Sequence, residues 1–86
     1  MNLPSRIKIG GLDIDVVFSD LETNYGFYRH ERSEIQISQN LSNAQKYATF
    51  IHEVIEAMNM IYDIDLKHHQ ICLLETALND SGLIQI

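Results

Sequence analysis

Apolar and polar residues alternate along the front half of the chain and then change to three- and four-residue steps in the back half. Ile7 and Ile9 alternate with Arg6 and Lys8. After Gly10-Gly11, Leu12, Ile14 and Val16 alternate with Asp13 and Asp15, and Val17-Phe18 ends the run. Two period-two runs joined by a Gly-Gly pair predict a β-hairpin with one apolar face. A third strand is predicted around residues 25–28, then a polar turn at His30-Glu31-Arg32-Ser33. Glu34-Ile35-Gln36-Ile37-Ser38 alternates again and predicts a fourth strand. The simplest way to join four such strands is an antiparallel meander.

Ser42 with Gln45 matches a capping box just ahead of a helical pattern. Ala44, Ala48, Ile51, Ile55, Met58 and Tyr62 recur at helical steps, and Tyr47, Phe50, Val54, Ala57 and Ile61 widen that face. The opposite arc carries Gln45, Thr49, His52, Glu53, Glu56, Asn59 and Asp63. Asp63-Ile64-Asp65 breaks the pattern, and Asp65 is a suitable cap for a second helix. In that helix Leu66, Ile71, Leu73, Leu74, Ala77 and Leu78 form the apolar side, with His68, Cys72, Glu75 and Asn79 along its edge. Gly82 suits a C-terminal cap, and residues 83–86 are an apolar tail that could add a strand. The expected fold is therefore α+β, one domain over residues 1–86. An antiparallel sheet of three or four strands from residues 5–38 is followed by helices near 43–62 and 66–80.

Composition narrows the class. An 86-residue domain has a thin core, and small folds often gain stability from a metal, a disulfide or a partner. Cys72 is the one cysteine, so no intrachain disulfide can form, which fits a reducing compartment. The net charge of −6 and the scattered lysines and arginines argue against nucleic acid as a partner. The N-terminal residues lack the pattern of a signal peptide, and no apolar run is long enough to span a membrane. The expectation is a cytoplasmic protein.

Candidate chemistry sits in His52-Glu53-Val54-Ile55-Glu56. Side chains four apart on a helix share a face, and imidazole and carboxylate both ligate zinc at about 2.0–2.2 Å. His52 and Glu56 could therefore chelate one divalent ion, as readily as they could form an ordinary exposed hydrogen-bonded pair. Glu53 stands where a His-Glu-x-x-His helix carries its general base. A catalytic zinc site usually takes three protein ligands, and the next helix offers His68, His69 and Glu75. In a strict antiparallel helical hairpin Glu75 would be level with His52. His68 would then lie about 10 Å nearer the turn. Glu75 could thus be a ligand, or could accept from a ligand histidine's other N–H. His30 and His69 read as surface residues, Cys72, Met58 and Met60 as packed side chains, and Tyr25 and Tyr28 as packing on the sheet.

These segments resemble the small zincin-like proteins of phages and prophages, which are distantly similar to ImmA/IrrE-type metallopeptidases. The resemblance runs from the Ile-Lys-Ile-Gly-Gly hairpin through Tyr25-Gly26-Phe27-Tyr28 and Glu34-Ile35-Gln36-Ile37. It continues through Phe50-Ile51-His52-Glu53-Val54-Ile55-Glu56-Ala57 to Leu66-Lys67-His68-His69-Gln70-Ile71 and Leu74-Glu75. Such proteins carry a second histidine at the position of Glu56 and an acidic third ligand downstream, in a register that falls on His68 or, one residue on, His69. The resemblance implies that the two exchanges are reciprocal and conserve a two-histidine, one-carboxylate set of His52, Glu56 and His68. It implies zinc as the cofactor. A carboxylate in place of imidazole donates more charge and makes manganese or iron more competitive. It also implies a hydrolase, most simply a peptidase with Glu53 as base, acting on protein or peptide in a bacterial host's cytoplasm. Peptide could bind along a sheet edge, which the Glu34–Ser38 strand could supply. The alternative is a non-catalytic, metal-stabilised phage module for protein–protein interaction, which small size, acidic charge and the Glu56 exchange favour.

Overall fold

The computed structural model describes residues 3–22 and 24–82. The expected terminal strand at residues 83–86 lies outside them. The order of elements is β1 (Arg6–Ile9), β2 (Leu12–Ser19), β3 (Gly26–Arg29), a 3-10 turn at His30–Arg32, β4 (Glu34–Ser38), α1 (Asn43–Tyr62) and α2 (His68–Ser81). The α+β class and both helices agree with the pattern of the sequence.

The β1–β2 hairpin forms where the Gly-Gly pair predicts it. Gly10 and Gly11 take φ of 57° and 80°, the double left-handed conformation of a two-residue turn that side chains resist. Ile9 pairs with Leu12 directly across it.

The meander is not what forms. The four-stranded sheet has the order β1-β2-β4-β3, so β4 inserts between β2 and β3. It runs parallel to β2, with Val16 opposite Ile35 and Phe18 opposite Ile37, and antiparallel to β3. Burial explains the choice. Ile35 and Ile37 of β4 are fully buried, which requires neighbours on both sides, whereas β3 ends in Arg29 and keeps no fully buried side chain. Polar contacts hold the ends of the parallel pair: the Asp15 N–H donates to the Ser33 carbonyl (3.0 Å) and the Gln39 N–H to that of Ser19 (2.9 Å). The β4 strand is therefore not an edge strand and cannot offer the free sheet edge expected of it. Among the described residues the edge strands are β1 and β3, with β3 the one beside β4.

Both helices follow the sheet. Ser42 caps α1 reciprocally with Gln45: the Gln45 N–H donates to Ser42 Oγ (3.2 Å), and the Ser42 N–H donates to Gln45 Oε1 (3.1 Å). Phe50 and Ala57 of α1 pack on Ile14, Val16, Ile35 and Ile37 of the sheet. Ile51 and Ile55 instead meet Ile71 of α2 in a second, smaller cluster. Met58 and Met60, expected in the core, are exposed at the surface of α1, because α2 covers only the flank nearer Ile51 and Ile55.

The α1–α2 linker is held tightly. Asp63 ends α1 in the left-handed conformation. Asn59 grips Leu66 twice, its Oδ1 accepting from the Leu66 N–H (2.8 Å) and its Nδ2 donating to the Leu66 carbonyl (3.2 Å). Asp65 does not cap α2. It adopts φ 67° within the linker, and Lys67 takes the capping position, its N–H donating to Gln70 Oε1 at 2.7 Å. The helix consequently starts at His68.

Candidate metal centre

His52, Glu53 and Glu56 all come from the middle of α1, where packing against both the sheet and α2 holds the backbone. His52 and Glu56 lie one turn apart, with His52 Nε2 and Glu56 Oε2 separated by 3.6 Å. His68, at the first turn of α2, brings its ring to 5.9 Å from that of His52, edge to face. Ligand atoms of His52, Glu56 and His68 lie within 4.8 Å of one another. The edge of a tetrahedron with bonds of about 2.1 Å is ~3.4 Å. The first pair is thus already near the required spacing, and the exposed His68 has a ligand atom within 4.8 Å of both. Two imidazoles and one carboxylate form a donor set that suits zinc.

Glu75 is also present, on another side of the same ring. Its Oε1 lies 2.8 Å from His52 Nδ1. The conflict expected between His68 and Glu75 does not arise, because His52 has two nitrogens. Nε2 faces Glu56, which is one turn closer to the linker, and His68 also lies toward the linker. Nδ1 faces Glu75, farther along α2. His69 is exposed and does not belong to the group of mutually close ligand atoms. Cys72 is not simply packed: its Sγ lies 3.5 Å from His68 Nε2. His30 is at the surface, as expected, with Nδ1 2.8 Å from the Tyr28 hydroxyl.

Glu53 departs furthest from the sequence pattern. It lies on the polar arc of α1, yet only 7 % of it is exposed, and Thr49 one turn earlier is as deeply buried. The Glu53 carboxyl is raised to about 7: burial is the largest cause, His52 pulls the value down, and Glu56 and Glu75 add to the rise. A carboxyl in this range is suited to exchanging protons near neutral pH.

A cavity of about 320 Å³ opens beside it, lined by Tyr25, Gly26, Gln45, Ala48, Thr49, His52, Glu53 and Glu75. The wall from the start of β3 is the part that sequence reasoning missed. Tyr25 is more than half exposed and lines the cavity instead of packing on the sheet. Gly26 lets α1 approach β3: a Cβ there would lie 2.7 Å from both the Gln36 carbonyl oxygen and Thr49 Cγ2. The small residues Ala48 and Thr49, one turn before His52 and Glu53, were the available signal.

No known family model, curated protein or solved structure matches this chain. The reading of the site therefore rests on its own residues and geometry. Among the described residues no helix is long and apolar enough to cross a membrane.

Proposed function

We propose that this chain is a minimal zincin-like metal-dependent hydrolase that acts on peptides, with one zinc ion held by His52, Glu56 and His68. The observation that carries the reading is Glu53: a buried carboxyl between two candidate ligands, on the wall of a side-chain-sized cavity. When bound, the ion supplies Lewis acidity toward a carbonyl oxygen and lowers the pKa of water. Glu53 takes the proton from the attacking water and returns it to the leaving amine. An extended peptide pairs with the outer backbone edge of β3, an edge strand among the described residues, and places one side chain in the cavity beside Tyr25 and Gly26. The resemblance to phage and prophage zincin-like proteins supports this reading, and with it a bacterial cytoplasm as the place of action. Manganese or iron is the substitute that the Glu56 carboxylate favours.

A second reading is a metal-stabilised interaction module. Exposed Met60 and Tyr62 at the end of α1, Ile64 in the linker and Leu73 on α2 favour it. Paired variants separate the two. Glu53→Gln is expected to keep zinc binding, measured by elemental analysis and by the zinc-induced rise in melting temperature, and to lose about 10²–10⁴-fold in cleavage of a peptide library. His52→Ala is expected to lose the ion itself. Equal cleavage by wild type and Glu53→Gln would overturn the hydrolase reading. Zinc binding with no cleavage by either would leave the module.

A further inference from the structure

We propose that Glu75 is the positioning residue for His52, fixing its proton on Nδ1 so that Nε2 is the nitrogen presented to the metal. This rests on the metal reading above but goes beyond the ligand set, because it assigns a role to a residue that the ligands do not require. The geometry decides between the two roles open to Glu75. The two nitrogens of an imidazole point away from each other across the ring. One ion cannot be reached both by Nε2 of His52, on the side of Glu56 at 3.6 Å, and by the Glu75 oxygen 2.8 Å from Nδ1. Glu75 is therefore not a fourth ligand to that ion. An ionised carboxylate only accepts hydrogen bonds, so the 2.8 Å contact requires the proton on Nδ1. That leaves the Nε2 lone pair free, and a carboxylate behind the ring makes the imidazole a better donor.

The placement in the fold gives the contact a second consequence. Glu75 is on α2, the helix that also carries His68. The same packing of Ile71 against Ile51 and Ile55 that seats α2 on α1 therefore brings in one ligand and orients another. The ring of His52 is held from α2 by Glu75 at Nδ1 and is met edge-on by His68. Its direction is set before an ion arrives, which reduces the ordering that binding must impose.

The test uses the full chain with Glu75→Ala and Glu75→Gln, checked for fold by circular dichroism in chelator. Two quantities are read. The first is the tautomer of His52 in metal-free protein, from imidazole nitrogen shifts at a pH where the ring is neutral. The second is zinc affinity, by competition with a chromophoric chelator. Wild type is expected to carry its proton on Nδ1. Glu75→Ala is expected to lose that preference and to bind zinc about 10–100-fold more weakly. Glu75→Gln, whose carbonyl can still accept, is expected to recover part of both. If Glu75→Ala disturbs the fold, Glu75→Leu, which fills the space with no acceptor, takes its place. A folded variant without the acceptor (Glu75→Ala or Glu75→Leu) that keeps the Nδ1 proton and wild-type zinc affinity would overturn the proposal, as would a wild-type ring protonated on Nε2. Failure of the metal reading would look different: wild type itself would not bind zinc, while the tautomer comparison would still decide what Glu75 does to the ring.

Discussion

Replacing Glu53 by glutamine should stabilise the metal-free protein above neutral pH and leave it unchanged in mild acid. The carboxyl is buried, and its pKa is raised from 4.5 to about 7 in the folded chain. A raised carboxyl pKa means that the native state holds its proton more tightly than the unfolded state does. The native state is therefore penalised as pH rises through the interval between the two values. Below about pH 4.5 both states are protonated and the penalty is absent; above about pH 7 it is complete. The displacement corresponds to roughly 3.5 kcal/mol at most, since one pKa unit is about 1.4 kcal/mol. Glutamine keeps the shape and cannot ionise, so the variant should gain up to about 2–3 kcal/mol over wild type at pH 8 and almost nothing near pH 4.5. For a domain of this size each kcal/mol moves the melting temperature by about 4–8 °C. Urea or thermal denaturation of both proteins in chelator, from about pH 4.5 to pH 8, would show the two stability curves diverging as pH rises. A difference that is flat across that range, or that grows toward acid, would refute the reasoning that Glu53 is buried at an electrostatic cost.

Two further changes test the scaffold. Gly26→Ala should destabilise by about 1–3 kcal/mol, because its Cβ would press on the Gln36 carbonyl and on Thr49 Cγ2, both at 2.7 Å; wild-type stability in urea would show that α1 does not depend on that close approach. Ser42→Ala should cost about 1 kcal/mol by removing the acceptor for the Gln45 N–H; a urea midpoint unchanged from wild type would mean that the cap contributes nothing.

The elements legible in the sequence are those specified by neighbouring residues. The period-two runs, the Gly-Gly turn and the Ser42/Gln45 box act over a few positions, and each formed where the pattern put it. The strand order was not legible, because it turns on a competition between distant segments. Ile35 and Ile37 claim the middle of the sheet from Phe27 and Tyr28, and nothing local to β4 announces a parallel partner. The start of α2 was misread for a related reason: the side chain of Asn59 takes up the backbone of Leu66, so Asp65 is left in the linker. At the site, helical spacing put His52 and Glu56 on one face, and His68 and Glu75 on one edge. It could not show that both edge residues reach His52 at once, from different sides. Nor could it show that Glu53 and Thr49, polar residues on a polar arc, are buried.

The parts of the site are unevenly spread along the chain. The three candidate ligands, Glu53 and Glu75 all lie on the two helices, whereas Tyr25 and Gly26 bring the facing wall from the start of β3. On the proposed reading, the helices carry the candidate ligands and part of the cavity wall, and the stretch at the start of β3 adds a wall that holds none of those ligands. Freedom to vary is unequal within that wall. Gly26 has no room for a side chain against Gln36 and Thr49, while Tyr25 is more than half open to solvent. A lineage altering what fits beside Glu53 would do so first at position 25, which lies outside the group of candidate ligands.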